Sequence, residues 1–300
     1  MTSPERHAER FNHFRPLLFT IAYEILGSAV ESDDVLQDSY LRWADVDLQK
    51  VRDTKSYLAQ LVTREALNAL RAGARRREHY VGPWLPEPLL VDERDAATDV
   101  VLAESVSVAM LVVLESLTPD ERAVFVLREV FGFDHEEIAD AVGRSVGAVR
   151  QIAHRARAHV QSRRRRFGPA DAKWTAQVTD KFLKAAHTGE VAELMAMLAP
   201  DVAFVADSGG KATAVRRPIV GDERVARILT RFFQFIRDTA DVRIELTTCN
   251  FAPAIAIHRG PTFEGLVLIE VAEGQITNFY AVRNPDKLAA FAVRRTISRQ

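Results

Sequence analysis

Apolar side chains at Phe14, Leu17, Leu18, Ile21, Ala22 and Ile25 recur at three-to-four-residue spacing and stop at Gly27. That spacing predicts an amphipathic helix closed by glycine. Ser32-Asp33 then offers an N-cap, and Val35, Leu36, Tyr40 and Trp43 form the apolar face of a second helix. A third runs from about Ser56 through Leu61, Leu67 and Leu70 into an arginine cluster, Arg71 to Arg77. The pattern then breaks at HYVGPWLPEPLL, residues 79–90, whose prolines and glycine rule out a continuous helix. A flexible spacer would be rich in Gly and Ser; this one carries Trp84 and several leucines, so a stiff, apolar connector is expected.

Helical periodicity resumes from Thr98 to Leu117 and closes at Thr118-Pro119-Asp120-Glu121. In that tetrad Thr118 is a candidate N-cap, Pro119 fits the first helical position and Glu121 completes a capping box. The helix it starts is expected to run from Ala123 to Phe131 and end at Gly132. Residues 134–160 predict two short helices around Gly143-Arg144: Ile138, Ala139 and Val142 face inward on the first. Ser145 caps the second, with Val149, Ile152, Ala153 and Ala156 inward. Two such helices, the second studded with arginine, are the pattern of a DNA-binding helix-turn-helix.

After Phe167-Gly168-Pro169 the pattern changes. Helices are expected over Trp174 to His187 and Glu190 to Leu198, and another over about Asp222 to Phe235. Strand-type runs are Val202 to Ala206, Val242 to Thr248, Ala254 to His258, Leu266 to Val271 and Ile276 to Val282. Helices first and a strand-rich sheet after predict a small α+β domain.

Composition changes this picture in two places. With 47% hydrophobic and 27% charged residues the chain is expected to be an ordinary globular protein, and its polar start, MTSPERHAERFNHF, lacks the apolar core of a signal peptide. The single cysteine, Cys249, excludes an internal disulfide and a cysteine-based zinc site, and no metal or cofactor is expected; with the polar start and no apolar run of membrane-spanning length, the location expected is cytoplasmic, away from any membrane. The net charge of −1 conceals segregation: residues 144–166 hold eight arginines and no acid. A patch of that kind points to nucleic acid even on a neutral chain.

Several motifs in order carry a resemblance. Asp33-Asp34-Val35-Leu36-Gln37-Asp38 with Trp43, Leu117-Thr118-Pro119-Asp120-Glu121-Arg122, and Glu137-Ile138-Ala139 followed by Ser145-Val146-Gly147-Ala148-Val149-Arg150 resemble regions two and four of extracytoplasmic-function (ECF) sigma factors. Trp84 to Pro88, Asp207-Ser208-Gly209-Gly210-Lys211 and Asn284-Pro285-Asp286-Lys287-Leu288 resemble the marks of one subgroup, which adds a SnoaL-like C-terminal domain. The resemblance covers nearly the whole chain. It implies a multidomain fold of two all-α sigma domains, a region-two helical bundle and a region-four helix-turn-helix, followed by an α+β SnoaL-like cone with a curved sheet. The expected boundaries are 8–80 for region two, 81–99 for a Trp/Pro linker, 100–166 for region four and 174–295 for a regulatory domain.

The resemblance also implies roles. Asp33, Asp34, Gln37 and Asp38 would dock on the β′ clamp helices of core RNA polymerase, with region four at the β flap. Arg64, Asn68, Arg71, Arg75 and Arg76 would engage the −10 promoter element as it melts, since arginines hold phosphates while unstacked bases are captured nearby. Asn68 stands where such proteins often carry aspartate. Arg144, Ser145, Arg150, Gln151, His154 and Arg155 would meet the −35 element in the major groove, where arginine reads guanine bidentately. Arg155 could instead pair with Glu136 or Glu137. Arg155, Arg157 and Arg163 to Arg166 fit the phosphate backbone.

For the C-terminal domain, Asp207, His187, His258 and Tyr280 are the polar candidates, yet no paired carboxylate or ligand cluster supports catalysis. A regulatory role is expected in place of enzyme activity, with modulation from within and no separate anti-sigma factor. Trp84, Leu85 and Pro86 are expected to latch near Asp207, Gly209, Gly210, Lys211, Asn284, Pro285 and Asp286; the alternative is burial of Trp84 against region two. Ser208 replaces a glycine of the subgroup and would be strained if its φ were positive. Cys249 is expected to be a buried small hydrophobe. The rival function is a one-component DNA-binding regulator, or an enzyme with a small-molecule pocket in this domain.

Overall fold

The computed structural model describes residues 3–91, 99–164, 172–188 and 191–300. They form two compact units: one holds Met1–Glu78, Asp92–Arg163 and Arg295–Gln300, the other His79–Val91 and Arg164–Arg294.

The first unit is helical. Helix α1 (Ser3–Leu26), α2 (Ala29–Ala44) and α3 (Thr54–Glu78) form a bundle. Leu17, Leu18, Ile21, Ala22, Ile25, Leu36 and Trp43 are fully buried in it, and the Trp43 indole donates to the His7 carbonyl at 2.9 Å. The N-cap of α2 is Ser28, whose hydroxyl accepts from the Glu31 amide at 3.1 Å. The expected cap at Ser32-Asp33 is therefore corrected: Ser32 lies within the helix and donates back to the Ser28 carbonyl at 2.6 Å.

The expected helix from Thr98 to Leu117 is two helices, α4 (Val100–Ser105) and α5 (Val108–Leu114), because Ser107 starts a new one by accepting from the Met110 amide. Thr118 and Glu121 form the capping box of α6 (Pro119–Phe125). The chain continues as a π turn, Val126–Val130, where the expectation was α-helix to Phe131. Helix α7 (His135–Val142) ends at Gly143 with φ +70°, the left-handed cap glycine tolerates, and α8 (Val146–Arg164) follows.

The second unit is α+β. Strand β1 (Leu90–Val91) lies within the linker; α9 (Ala172–Thr188) and the single turn α10 (Ala192–Met195) belong to the same unit. The helix expected to reach Leu198 stops early because Leu198 already begins β2 (Leu198–Asp207). Then follow β3 (Ile219–Val220), α11 (Asp222–Asp238), β4 (Val242–Cys249), β5 (Ala252–Arg259), β6 (Thr262–Ala272), β7 (Gln275–Val282) and α12 (Pro285–Phe291).

The sheet order is β3-β2-β7-β6-β5-β4, with β2 and β7 parallel and the other neighbours antiparallel. Register breaks in three of these pairings supply the bends that curve it. One face packs Val267, Ile269, Phe279 and Ala281 against Phe182 of α9 and Leu229 and Phe233 of α11.

Candidate nucleic-acid and linker-binding sites

In the first unit, α2 presents Asp34, Gln37 and Asp38 to solvent while Val35 and Leu36 point inward. Asp33 is half-buried: the Arg295 guanidinium donates to one carboxylate oxygen, and Arg15 stands 3.7 Å from the other. On α8, Ser145 caps Ala148 at 3.2 Å, and Arg150, Gln151, His154 and Arg155 are exposed along one side. Arg155 has no carboxylate partner among the described residues; Glu137 is taken by the Asp134 amide and the Ser56 hydroxyl.

Among the remaining candidate arginines, Arg64, Arg71 and Arg144 are engaged. Asp120, in the first turn of α6, accepts from Arg71 of α3 at 2.7 Å and from Arg144 at 2.7 and 3.0 Å. Burial alone would raise the Asp120 pKa, but the hydrogen bonds and charges of these two arginines hold it below the usual carboxylate range. Arg64 donates to the Asp140 carbonyl at 2.7 Å, and Ser56 to Glu137 at 2.6 Å. So residues of α3 and of the helix-turn-helix occupy one another. Asn68 is exposed, and the side chains of Arg75, Arg76 and His187 lie outside the described residues.

Deeper in the unit, Arg122 is 1% exposed; it donates to the Glu24 carbonyl at 2.8 Å and to Glu115 at 2.6 Å. Glu115 also takes Arg77 at 2.5 Å, and Ser105 donates to the Glu24 carboxyl at 2.7 Å. Burial pushes the Glu24 pKa up to about 8, against the Ser105 bond and the Arg122 charge. Exposed ion pairs contribute ~0–1 kcal/mol each, whereas a buried charge without its partner costs ~3–5 kcal/mol. Removing one partner from the buried Arg122 network is therefore the costlier perturbation, and the exposed Asp120 pairs mainly decide which groups the arginines face.

In the second unit, residues 79–91 lie on the sheet domain. Asp207 is fully buried at the end of β2. One of its carboxylate oxygens accepts from the Tyr80 hydroxyl; the other accepts from the Leu85 amide at 2.8 Å and from Lys287 Nζ at 2.7 Å. Lys287, 2% exposed, also donates to the Leu85 carbonyl and stands 3.3 Å from the centroid of the Trp84 ring, a cation–π contact. Trp84 meets Tyr80 edge-on at 4.8 Å. Asn284 caps α12 through the Asp286 amide and donates to Tyr80 at 2.8 Å, with Pro285 at the first helical position. Lys211 and Asp286 form an exposed ion pair. Pro86 is buried.

Gly209 and Gly210 have φ of +57° and +74°, and a Cβ on Gly209 would sit 2.6 Å from Asn284 Nδ2 and 3.0 Å from the Tyr80 hydroxyl. Only glycine fits that approach. The φ of Ser208 is not positive, so the strain expected there does not arise. A further anchor is Asn250, at the tip of the β4–β5 hairpin. Its side chain accepts from the Leu89 amide at 2.8 Å and its amide donates to the Leu89 carbonyl at 3.0 Å. Tyr80 and Asn250 had no signal as sites in the sequence, since each acts through a partner distant along the chain; Lys287 stood in the Asn284 to Leu288 motif but was not singled out as a site.

Of the other polar candidates, Tyr280 donates to Glu270 at 2.9 Å, as does Asn278. Burial raises the Glu270 pKa to about 7 against those two bonds. Tyr280 is also raised, by burial and then by Glu270. His258 Nε2 lies 2.9 Å from Glu245. Cys249 is fully buried, and burial pushes its thiol up, which leaves little thiolate for chemistry. Among the described residues no group of three or more metal-ligating side chains is present, and no helix is long and apolar enough to cross a membrane.

Family comparison agrees with this geometry. Residues 10–76 match the family model described as Sigma-70 region 2, and residues 107–160 match Sigma-70, region 4. The ECF RNA polymerase sigma factor SigJ of Mycobacterium tuberculosis (strain H37Rv) is 32% identical over 286 residues, 92% of this chain and 91% of its own. The probable ECF RNA polymerase sigma factor SigI of M. tuberculosis is 27% identical over 276 residues, 91% and 92% of the two chains. The crystal structure of M. tuberculosis SigJ superposes with a TM-score of 0.72 at 29% identity, covering 95% of this chain and 98% of that one.

Proposed function

Because the chain belongs to the ECF RNA polymerase sigma factors, we propose that it folds into a self-closed sigma factor in which Arg64, Arg71 and Arg144 stay paired within the helical unit until core polymerase engages it. As an alternative sigma factor it directs core RNA polymerase to promoters and initiates transcription, and it carries an α+β domain of NTF2/SnoaL-like fold fused behind its sigma regions. The observation that carries the proposal is Asp120, which holds Arg71 of region two and Arg144 of region four at once.

In the open state Arg144, Ser145, Arg150, Gln151, His154 and Arg155 meet the −35 element, and Arg64, Asn68, Arg71, Arg75 and Arg76 the −10 element. Asp33, Asp34, Gln37 and Asp38 dock on the β′ clamp helices, with region four at the β flap. The fused domain modulates activity through the connector. Its grip on Tyr80, Trp84, Leu85 and Leu89 holds the segment that must lengthen when regions two and four separate. A tethered domain needs only modest affinity, since the chain keeps its effective concentration high. The protein then needs no separate anti-sigma factor, performs no catalysis and works in the cytoplasm.

Run-off transcription with core polymerase tests this. The full chain should start transcripts only with core, and Trp84→Ala should raise output at limiting sigma. Core-independent retention of a promoter fragment, with no transcripts on adding core, would support a one-component regulator instead. Output unchanged in Trp84→Ala would overturn the modulatory role of the grip.

A further inference from the structure

The segment Arg295–Gln300 belongs to the helical unit and lies along it as a strap. Arg295 donates to Asp33 and places its guanidinium 5.2 Å from the Phe19 ring centroid. Ile297 is 1% exposed. The Ser298 amide donates to the Thr20 hydroxyl at 3.1 Å. Arg299 donates to Asp99 at 2.8 Å and to the Val130 carbonyl of the π turn at 3.3 Å. An Arg-x-Ile-x-Arg segment thus meets an acid, an apolar site and a second acid in matching order, and it joins α1 and α2 to the helices that follow.

The chemistry of the recognised face is specific. Asp33 shares its other oxygen only loosely, with Arg15 at 3.7 Å, so Arg295 is its principal cation. A guanidinium that also stacks on Phe19 gains more than an exposed pair does, because the ring excludes water from one side of it. Burial of Ile297 fixes the register between the two arginines.

We propose that this face of α1 and α2 is a peptide-binding groove whose resident ligand is the chain's own segment Arg295–Gln300, and that core polymerase must displace the segment to reach Asp33. The inference rests on Asp33 being a polymerase-docking residue, as put forward above. The strap lowers the fraction of molecules competent to bind core, and apparent affinity falls by that fraction. Couplings of this type change affinity by about 5- to 150-fold.

The test is the affinity of the full-length protein for core polymerase, with a fluorophore on the sigma factor. Arg295→Ala and Arg295→Glu should each tighten binding at least about fivefold. A synthetic peptide of residues 294–300, added in trans to Arg295→Ala, should reverse the gain, and the same peptide with its first arginine of the motif, Arg295, replaced by Glu should not. Asp33→Asn, made in the Arg295→Ala background where its pairing with the strap is already gone, separates the two ideas. If it leaves core binding unchanged there, the docking role of Asp33 is wrong. If it weakens binding while the Arg295 variants match the parent and the peptide does not compete, the docking role stands and the strap is refuted. Hydrogen exchange of α1 and α2 in the variants guards against misfolding as the cause of lost binding.

Discussion

Replacing Lys287 by Met removes the cation between Asp207, the Leu85 carbonyl and the Trp84 ring. Both partners are buried, with side-chain exposures of 3% and 0% for Lys287 and Asp207. An uncompensated buried charge costs about 3–5 kcal/mol. Asp207→Asn, which strands Lys287, should cost a similar amount. In the double variant no charge is left buried, and what is lost is chiefly acceptor strength for the Tyr80 hydroxyl and the Leu85 amide, about 1 kcal/mol each. The double variant should therefore be several kcal/mol less damaged than the two single costs combined. Hydrogen exchange of the Leu85 and Leu89 amides reads this locally, since both are bonded to the sheet domain. A loss of about 3 kcal/mol accelerates exchange roughly a hundredfold. Single variants that exchange as the parent does, or costs that add to within about 0.5 kcal/mol, would show that the pair does not hold the linker.

Three further outcomes are expected. The Glu24 pKa is raised to about 8 by burial, so its contribution to stability is fully present below the ordinary value near 4.5 and is lost as pH rises through about 8. Glu24→Gln, which keeps an acceptor for Ser105, should flatten the fall of the melting temperature between about pH 5 and pH 9, an effect on the order of a few kcal/mol at about 1.4 kcal/mol per unit; parallel pH profiles would contradict the assignment. Gly209→Ala brings a Cβ to 2.6 Å from Asn284 at a φ of +57° and should lower the stability of the sheet domain by about 1–3 kcal/mol, read as a shift of its urea midpoint. Asp120→Ala frees Arg71 and Arg144, so promoter binding by the free protein should tighten and its log–log salt slope should steepen by up to about 2, near 0.9 per phosphate gained; an unchanged slope would mean that neither arginine was masked from DNA.

Local signals were legible where the chemistry is local. Thr118 and Glu121 announce a capping box that forms as read, and Gly143 marks the turn between α7 and α8 at the left-handed φ it needs. Four of the strands lie on strand-type runs of the sequence, β4, β5, β6 and β7, and the helix-turn-helix followed its apolar spacing. The cap of α2 was misplaced because Ser28 and Ser32 are one turn apart and both able to cap; the helix begins at the earlier one, which leaves Ser32 to bond back to it. The continuous helix expected from Thr98 breaks at Ser107 because a hydroxyl competes with the backbone for the Met110 amide.

Apart from the approach of the linker to Asp207, which the resemblance implied, long-range pairings were not legible. Nothing about Asp120 in sequence distinguishes a first-turn acid that favours its own helix from one that joins Arg71 to Arg144. Asn250 looks like a surface polar residue until the fold brings it against Leu89, and the motif that contains Lys287 does not say that its ammonium is buried against Trp84 and Asp207. Glu270 sits in a strand-type run, and its raised pKa comes from the burial the sheet imposes.

The separation of regions two and four on core binding bears most directly on the self-closed state. Cys249 is fully buried, so cysteines placed at exposed Leu41 on α2 and exposed Ala158 on α8 would take a donor and an acceptor dye selectively. Energy transfer between them should fall when core polymerase is added, in step with the appearance of transcripts. Transfer that stays the same in a holoenzyme actively starting transcripts would mean that the closed arrangement of the two regions is also the working one.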